Sequence, residues 1–407
     1  MKEHTFLTEA RERYVRANKR SLQWLMDRPA LYGGFLNSKQ NSITLKDYDT
    51  DTYWRGPEVV YGWIQGRGLE ALLVHASFFE DEDPDFAARL YKRAKKLYCV
   101  LAPLYSRFRH GYFTYDKDLI PILPDNEASP QKQLVDSDLY TYSDAFILKG
   151  LIIASFRFDP DATATYLKSF EKLIVSIEQR RFVLNEQQRL DPAILLTQSN
   201  DYAPRMILLG GAAMLKEMGF GDEARFGERF ITHVLNRHVD EAGVIRDVPG
   251  QDCCNVGHAI EFIGFACEYF GEAIALKRAE ELERALLIAF DFGFSGTGIP
   301  LTVSISQRKP LSDYMPWWSL AETIRAAALT YRRTRTPASL EVWQKADQAF
   351  FKYFWREDPP IAYQTRTQAG PVDYVPATPD LDPAYHTGLS LLAAIRSIDL
   401  ESTNQSP

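Results

Sequence analysis

"DCCNVGHAIEFIGFACEYFGEAIALKRAEELERALLIAFDFG", residues 252–293, contains two helical periods with almost nothing between them. Apolar residues recur at three- and four-residue steps over 256–271 and again over 273–293, and the turn that separates them is "YFGE". So short a turn joins antiparallel neighbours. The first helix is Ala, Ile, Phe and Gly around most of its circumference, whereas "AEELERALLIAF" carries a charged stripe. One helix covered on both sides, beside one that faces solvent, is the unit this pattern predicts.

The unit repeats along the chain. Periodicity bounded by Gly, Pro, Asp or Asn predicts helices at 5–27, 57–79, 84–104, 138–157, 160–180, 201–218, 221–238, 256–271, 273–293, 316–333, 337–355 and 382–397. Connections alternate in length. The short turns are "EDEDP", "FDPD", "MGFGD", "YFGE" and "TRTP". Most of the long ones hold an alternating, Gly-punctuated segment that reads as a hairpin: "LYGGFLNSKQNSITL", "GYFTYDKDLIPIL", "GVIRDV", "IPLTVSISQRK" and "IAYQTRTQAGPV". Six helical hairpins follow, with every long connection at one end. Curled into a ring, they make an all-α (α/α)6 barrel, with the even-numbered helices inside; an open stacked solenoid is the competing arrangement. No linker interrupts the series, so residues 1–407 read as one catalytic domain, with 399–407 as a flexible tail.

Composition narrows the class. The chain has 407 residues, 45% hydrophobic and 25% charged, enough for a large core. Its net charge of −7 is spread without long blocks, which argues against nucleic acid or an anionic membrane as partner. The start lacks the apolar stretch of a signal peptide, and no apolar run approaches a membrane span, so a cytoplasmic protein is expected. Cys99, Cys253, Cys254 and Cys267 make neither a disulfide framework nor a zinc motif. No dinucleotide fingerprint or phosphate loop is present, and no cofactor or metal is expected.

Polar residues in the first turns of inner helices converge on one axial pocket in such a ring. The second helix carries Arg67. The fourth offers Tyr142 and Asp144, and the sixth Asp201 and Arg205. The eighth gives His258 and Glu261, three apart and so on one face. The tenth contributes Trp317, Trp318 and Glu322, and the twelfth begins at His386. Each has a duller reading. A lone histidine near a helix start is more often structural than catalytic, the tryptophans would usually be core, and Arg67, four residues after Trp63, could simply stack on it. His4, His75, His110, His233 and His238 are assigned no role.

The strings "GGF" at 33–35, "WIQGR" at 63–67, "APRMILL" at 203–209, "NVGHAIEF" at 255–262, "PWWSLAE" at 316–322 and "YHTGLSLLAA" at 385–394 resemble the N-acylglucosamine 2-epimerase superfamily. That group includes the renin-binding protein, cellobiose 2-epimerases and aldose–ketose isomerases. The resemblance implies an (α/α)6 barrel and an enzyme that epimerises or isomerises a free reducing sugar through a cis-enediolate. It makes His258 and His386 an acid/base pair, places Arg67 beside the developing oxyanion, and gives Glu261 and Glu322 the task of orienting histidines or holding hydroxyls. Trp318 and Tyr142 match aromatic pocket walls. A small sugar is the implied partner, and since relatives are often dimers, a homodimer is expected.

Two departures concern the substrate. Many relatives carry a histidine after the Trp-Trp pair, where this chain has Leu320. Several also place one on the sixth helix, where Arg205 is the only charged side chain in "APRMILL". N-acetylmannosamine, mannose and cellobiose all stay open as substrates. A glycoside hydrolase on the same scaffold, using paired carboxylates among Asp144, Asp201, Glu261 and Glu322, is the rival activity. A non-catalytic sugar-binding relative is the other.

Overall fold

A computed structural model describes residues 3–123, 130–133, 138–199, 201–374 and 377–404. The predicted helices are all present: α1 (Glu3–Asp27), α2 (Gly62–Glu82), α3 (Pro84–Phe108), α4 (Tyr142–Phe158), α5 (Pro160–Glu178), α6 (Tyr202–Glu217), α7 (Phe226–Arg237), α8 (Val256–Phe270), α9 (Leu276–Gly293), α10 (Trp317–Thr334), α11 (Pro337–Tyr353) and α12 (His386–Asn404). α12 thus continues through 399–404, and residues 405–407 of the expected tail lie outside the described residues. None of the described helices is long and apolar enough to cross a membrane.

The short turns work through their caps. Asp83 accepts a hydrogen bond from the backbone N–H of Phe86, and Pro84 follows it as the first helical residue of α3. Thr336 and Pro337 start α11 the same way, with Thr336 accepting from Ser339. Proline's missing N–H costs nothing at that position.

The helices fall into two compact units. One comprises α2 to α5, within residues 22–199 and 377–385. In it α2 packs on α3, α4 on α5, and α2 on α4. The α2–α4 contact is backbone to backbone: a Cβ on Gly66 would stand 2.4 Å from the Phe146 carbonyl carbon, and one on Gly150 would stand 2.6 Å from the Gly66 carbonyl oxygen. Only glycine permits that approach.

The other unit comprises α6 to α12 with α1 up to residue 21. Here α6, α8, α10 and α12 pack in sequence, each of the first three also covered by the helix that follows it. The partner of α12 is α1, from the opposite end of the chain. Asn18 donates to the Gly388 carbonyl at 3.1 Å and Arg11 pairs with Asp399 at 2.5 Å, so the two helices run antiparallel. The sixth hairpin is therefore assembled from both chain ends and not by a turn.

Three of the five expected loop hairpins form. β1 (Val60–Tyr61) pairs with β2 (Thr114–Tyr115) and β2 with β3 (Pro121–Ile122); β4 (Cys253–Cys254) pairs with β5 (Val303–Ser304) and β5 with β6 (Lys309–Pro310); β7 (Met315–Pro316) pairs with β8 (Thr365–Thr367) and β8 with β9 (Gly370–Pro371). All pairs are antiparallel. In each sheet the hairpin binds the strand just before an even-numbered helix, which fixes where that helix begins. This is why α2 starts at Gly62 and not at residue 57: Val60 and Tyr61 are held in β1. The segments at 31–45 and 243–248 make only isolated bridges, Leu31 with Phe35, Gln40 with Asp47 and Val239 with Ile245. Among the described residues neither has a neighbouring strand to extend.

Candidate active site

β4 and the side chain of Asn255 set the start of α8: Asn255 accepts from the backbone N–H of His258 at 3.0 Å. β7 sets the start of α10 at Trp317, and α12 opens on His386. Because α10 packs on both α8 and α12, its first turn lies beside both histidines. The His258 imidazole stacks on the Trp318 indole, centroids 5.3 Å apart and planes 23° off parallel. His386 lies 5.9 Å from the same indole at 34°, and 6.2 Å from Trp317, which meets it edge-on. The stack needs Gly257, where a Cβ would stand 2.6 Å from the Trp318 ring.

The two imidazoles have different surroundings. Nδ1 of His386 is 2.9 Å from Oε1 of Glu322 and 3.9 Å from Oε1 of Glu261. A carboxylate can only accept, so the Nδ1 proton points to Glu322 and Nε2 is left for chemistry. Glu322 is fully buried, and Nη1 of Arg325, one turn on, stands 3.1 Å from its second oxygen. Glu261, which the i,i+3 spacing pairs with His258, is thus also placed at His386. The flat face of His258 is taken by the indole, while its backbone carbonyl accepts from the Tyr202 hydroxyl at 2.7 Å. Burial, reinforced by the charge of His386, lowers the His258 pKa from 6.5 to about 4. His258 is neutral at neutral pH.

Asp201 and Arg205 open α6. Asp201 stands 2.9 Å from Nε2 of His238, 3.2 Å from Nε2 of His233 and 3.4 Å from Arg205. Burial would raise its pKa, but the His238 hydrogen bond and the charges of Arg205 and His233 hold it well below the usual carboxylate range. Two of the five histidines left without a role are therefore partners of a residue singled out for sugar binding. Their spacing from Asp201 in sequence gives no hint of it.

Arg67, Tyr142 and Asp144 belong to the α2–α5 unit. The Arg67 guanidinium carbon lies 3.9 Å from the Phe146 ring, 5.0 Å from Trp63 and 5.3 Å from Tyr385, a cage of aromatic faces. Tyr142 meets Trp63 and Phe182 edge-on. Behind them, Lys149 donates to the Tyr385 hydroxyl at 2.8 Å and pairs with Glu70 at 3.0 Å, a buried network no motif announced. Asp144 caps α4, accepting from the backbone N–H of Thr141 at 3.0 Å and of Gly111 at 2.7 Å. Glu186, also unforeseen, accepts from the Trp63 indole at 2.8 Å and the Ser143 backbone at 3.0 Å.

A mainly helical scaffold with a carboxylate-anchored histidine and a second histidine on a shared indole is an arrangement suited to moving protons. Solved structures share this fold over nearly all of both chains. A cellobiose 2-epimerase from Spirochaeta thermophila matches at TM-score 0.70, with 15% identity over 99% of this chain and 100% of its own. A D-mannose isomerase matches at 0.70, with 12% identity over 97% of each chain. An unsaturated glucuronyl hydrolase specific for heparin matches less well, at 0.53 with 10% identity over 97% and 98%. No protein-family model matches the chain, and no curated protein matches it in sequence. The fold is the (α/α)6 barrel, the one implied by the resemblance to the N-acylglucosamine 2-epimerase superfamily.

Proposed function

We propose that the protein is a sugar 2-epimerase or aldose–ketose isomerase that works by proton transfer between His258 and His386. The observation that carries this is the unequal pair against Trp318. His258 is neutral and can accept a proton, whereas His386 faces two carboxylates that compensate positive charge on its ring. In one direction, neutral His258 takes the proton from carbon 2 of an open-chain aldose and the bond's electrons move onto the carbonyl oxygen, giving a cis-enediolate. Protonated His386 then supplies the return proton. Delivery to carbon 2 on the other face, with oxygen 1 becoming the carbonyl again, gives the 2-epimer; delivery to carbon 1, with the oxygen 2 proton passing to oxygen 1 as oxygen 2 becomes the carbonyl, gives the ketose. The reverse reaction exchanges the roles, as microscopic reversibility requires.

Glu322 sets the His386 tautomer, and Glu261 adds charge beside it. The part of Arg67 comes from the family resemblance: a permanent cation near the developing oxyanion, a kind of donor whose loss costs on the order of 10²–10³ in kcat. Trp318 and Trp317 supply flat apolar surface of the kind a pyranose face or its opened chain packs on. The D-mannose isomerase and cellobiose 2-epimerase folds support a free sugar as substrate class.

The hydrolase reading keeps one supporting observation, the fold shared with a glucuronyl hydrolase. Against it, Asp144 caps a helix and Glu322 is held by His386 and Arg325. Incubation with free aldoses and 2-acetamido sugars in heavy water, followed by proton NMR, separates the two. Deuterium at carbon 2 that disappears with His258→Ala and His386→Ala supports proton transfer. Cleavage of a glycosidic bond without exchange overturns it.

A further inference from the structure

We propose that Asp201, His233 and His238 form a binding site for a divalent transition cation of the zinc class. The carboxylate and the two Nε2 atoms lie within 4.8 Å of one another, with the carboxylate 2.9 Å from one nitrogen and 3.2 Å from the other. Ligand bonds of about 2.0–2.2 Å place neighbouring donors about 3.3–3.6 Å apart around a tetrahedral ion, so those spacings need to open by only a few tenths of an ångström. Two imidazoles and one carboxylate suit zinc and its neighbours and not magnesium or calcium, which take oxygen ligands.

The second shell is present as well. Nδ1 of His238 is 2.8 Å from the Arg246 carbonyl, which can only accept, so that nitrogen carries the proton. In the neutral ring Nε2 then has only a lone pair to direct at Asp201, and two acceptors at 2.9 Å require a positive charge between them. That charge is either a second proton or a metal ion. Zinc ligands commonly show this arrangement, one ring nitrogen bound to metal and the other donating to a carbonyl. His233 supports the metal: its Nε2 is buried, makes no hydrogen bond of good geometry, and is directed at the same carboxylate. The His233 side chain as a whole is 28% exposed, which gives an ion a way in. Arg205 opposes it. Its guanidinium, 3.4 Å from Asp201 Oδ2 and 2.6 Å from the Asp201 carbonyl, puts a positive charge beside the cluster. The expected affinity is therefore micromolar, weaker than that of a structural zinc site.

Such an ion would tie the start of α6 to the end of α7. Tyr202, next to Asp201, holds the carbonyl of His258, so the ion would also steady the first turn of α8.

The test is titration of chelator-treated full-length protein with Zn²⁺ by calorimetry, and with Co²⁺ by visible absorption. The proposal expects one ion per chain, a higher melting temperature with Zn²⁺, and a loss of affinity of about tenfold or more in both His233→Ala and Asp201→Asn. Equal melting of the variants and the parent in chelator shows that the loss is not misfolding. Absence of binding by the parent, or binding undiminished in both variants, overturns it. So does binding lost with His386→Ala and kept in His233→Ala, because the ion would then sit among Glu261, Glu322 and His386.

Discussion

Nδ1 of His386 sits 2.9 Å from Oε1 of Glu322, a carboxylate with no exposure of its own. Buried that deeply, Glu322 has His386 at one oxygen and Arg325 at the other, the partners a buried carboxylate needs. In the proposed mechanism its work is to hold a ring and not to meet substrate. Glu322→Gln offers Nδ1 either an amide oxygen or a competing N–H donor, so the ring loses its fixed tautomer. We expect kcat to fall by about 10²-fold with little change in KM, and His386→Ala to lose about 10²–10⁴-fold, the usual worth of an acid/base group. Steady-state kinetics on the sugar that exchanges deuterium checks both. Equal loss in kcat and gain in KM for Glu322→Gln would assign it to substrate binding.

His258 makes a pH prediction whose direction is fixed by its depressed pKa, about 4 when folded against 6.5 for the free group. Between those values the unfolded chain binds a proton that the folded one does not, so stability rises with pH through that window and is lost as pH falls. Denaturant midpoints should therefore drop from pH 6.5 to pH 4 more steeply in the parent than in His258→Gln. With His258 as the proposed base, catalysis should follow the same group. Its acid limb should be set by His258 near pH 4, so activity assayed at pH 5.5 should stay close to its neutral value, and a loss of half or more at that pH would remove His258 as the group that sets it.

Much of this was legible from the sequence, for identifiable reasons. The α8–α9 hairpin follows from periodicity and a four-residue turn, both local. His258 and His386 stand out because each opens an otherwise apolar inner helix. Partner choice was not local. Glu261 reads as the companion of His258 because i,i+3 places them on one face, yet its oxygen lies by His386, since the Trp318 indole covers the His258 ring face. Asp201 reads as a sugar ligand, but it meets His233 and His238 from α7, more than thirty residues on and outside any motif. The (α/α)6 hairpin made by α1 and α12 was hidden likewise, because no turn joins chain ends.

Glu186 should give a slope opposite to that of His258. Burial raises its pKa to about 7 from 4.5, only partly offset by hydrogen bonds from Ser143 and Trp63. Between 4.5 and 7 the folded chain binds the extra proton, so this group's contribution to stability is lost as pH rises through that range. Glu186→Gln keeps an acceptor for the Trp63 indole and carries no charge to bury. Urea unfolding at pH 5 and pH 8 should show the variant gaining on the parent as pH rises; a gain of the same size at both values would exclude titration of Glu186 as the cause.

The contact between Gly257 and Trp318 gives the most direct test of the stacked pair. A methyl group at residue 257 would stand 2.6 Å from the indole and 2.7 Å from the Ser319 hydroxyl, closer than carbon contacts allow. Helix propensity alone would make Gly257→Ala stabilising, by up to about 1 kcal/mol. Overpacking costs about 1–3 kcal/mol and works the other way, and relief requires the indole to leave the His258 ring. We therefore expect Gly257→Ala to melt lower than the parent and to lose activity beyond what its folded fraction explains. Trp318→Ala in the Gly257→Ala background removes the clash, so part of the lost stability should return, although without the indole activity should not. A Gly257→Ala variant that melts higher and keeps full activity would mean that the indole does not pack on that turn of α8.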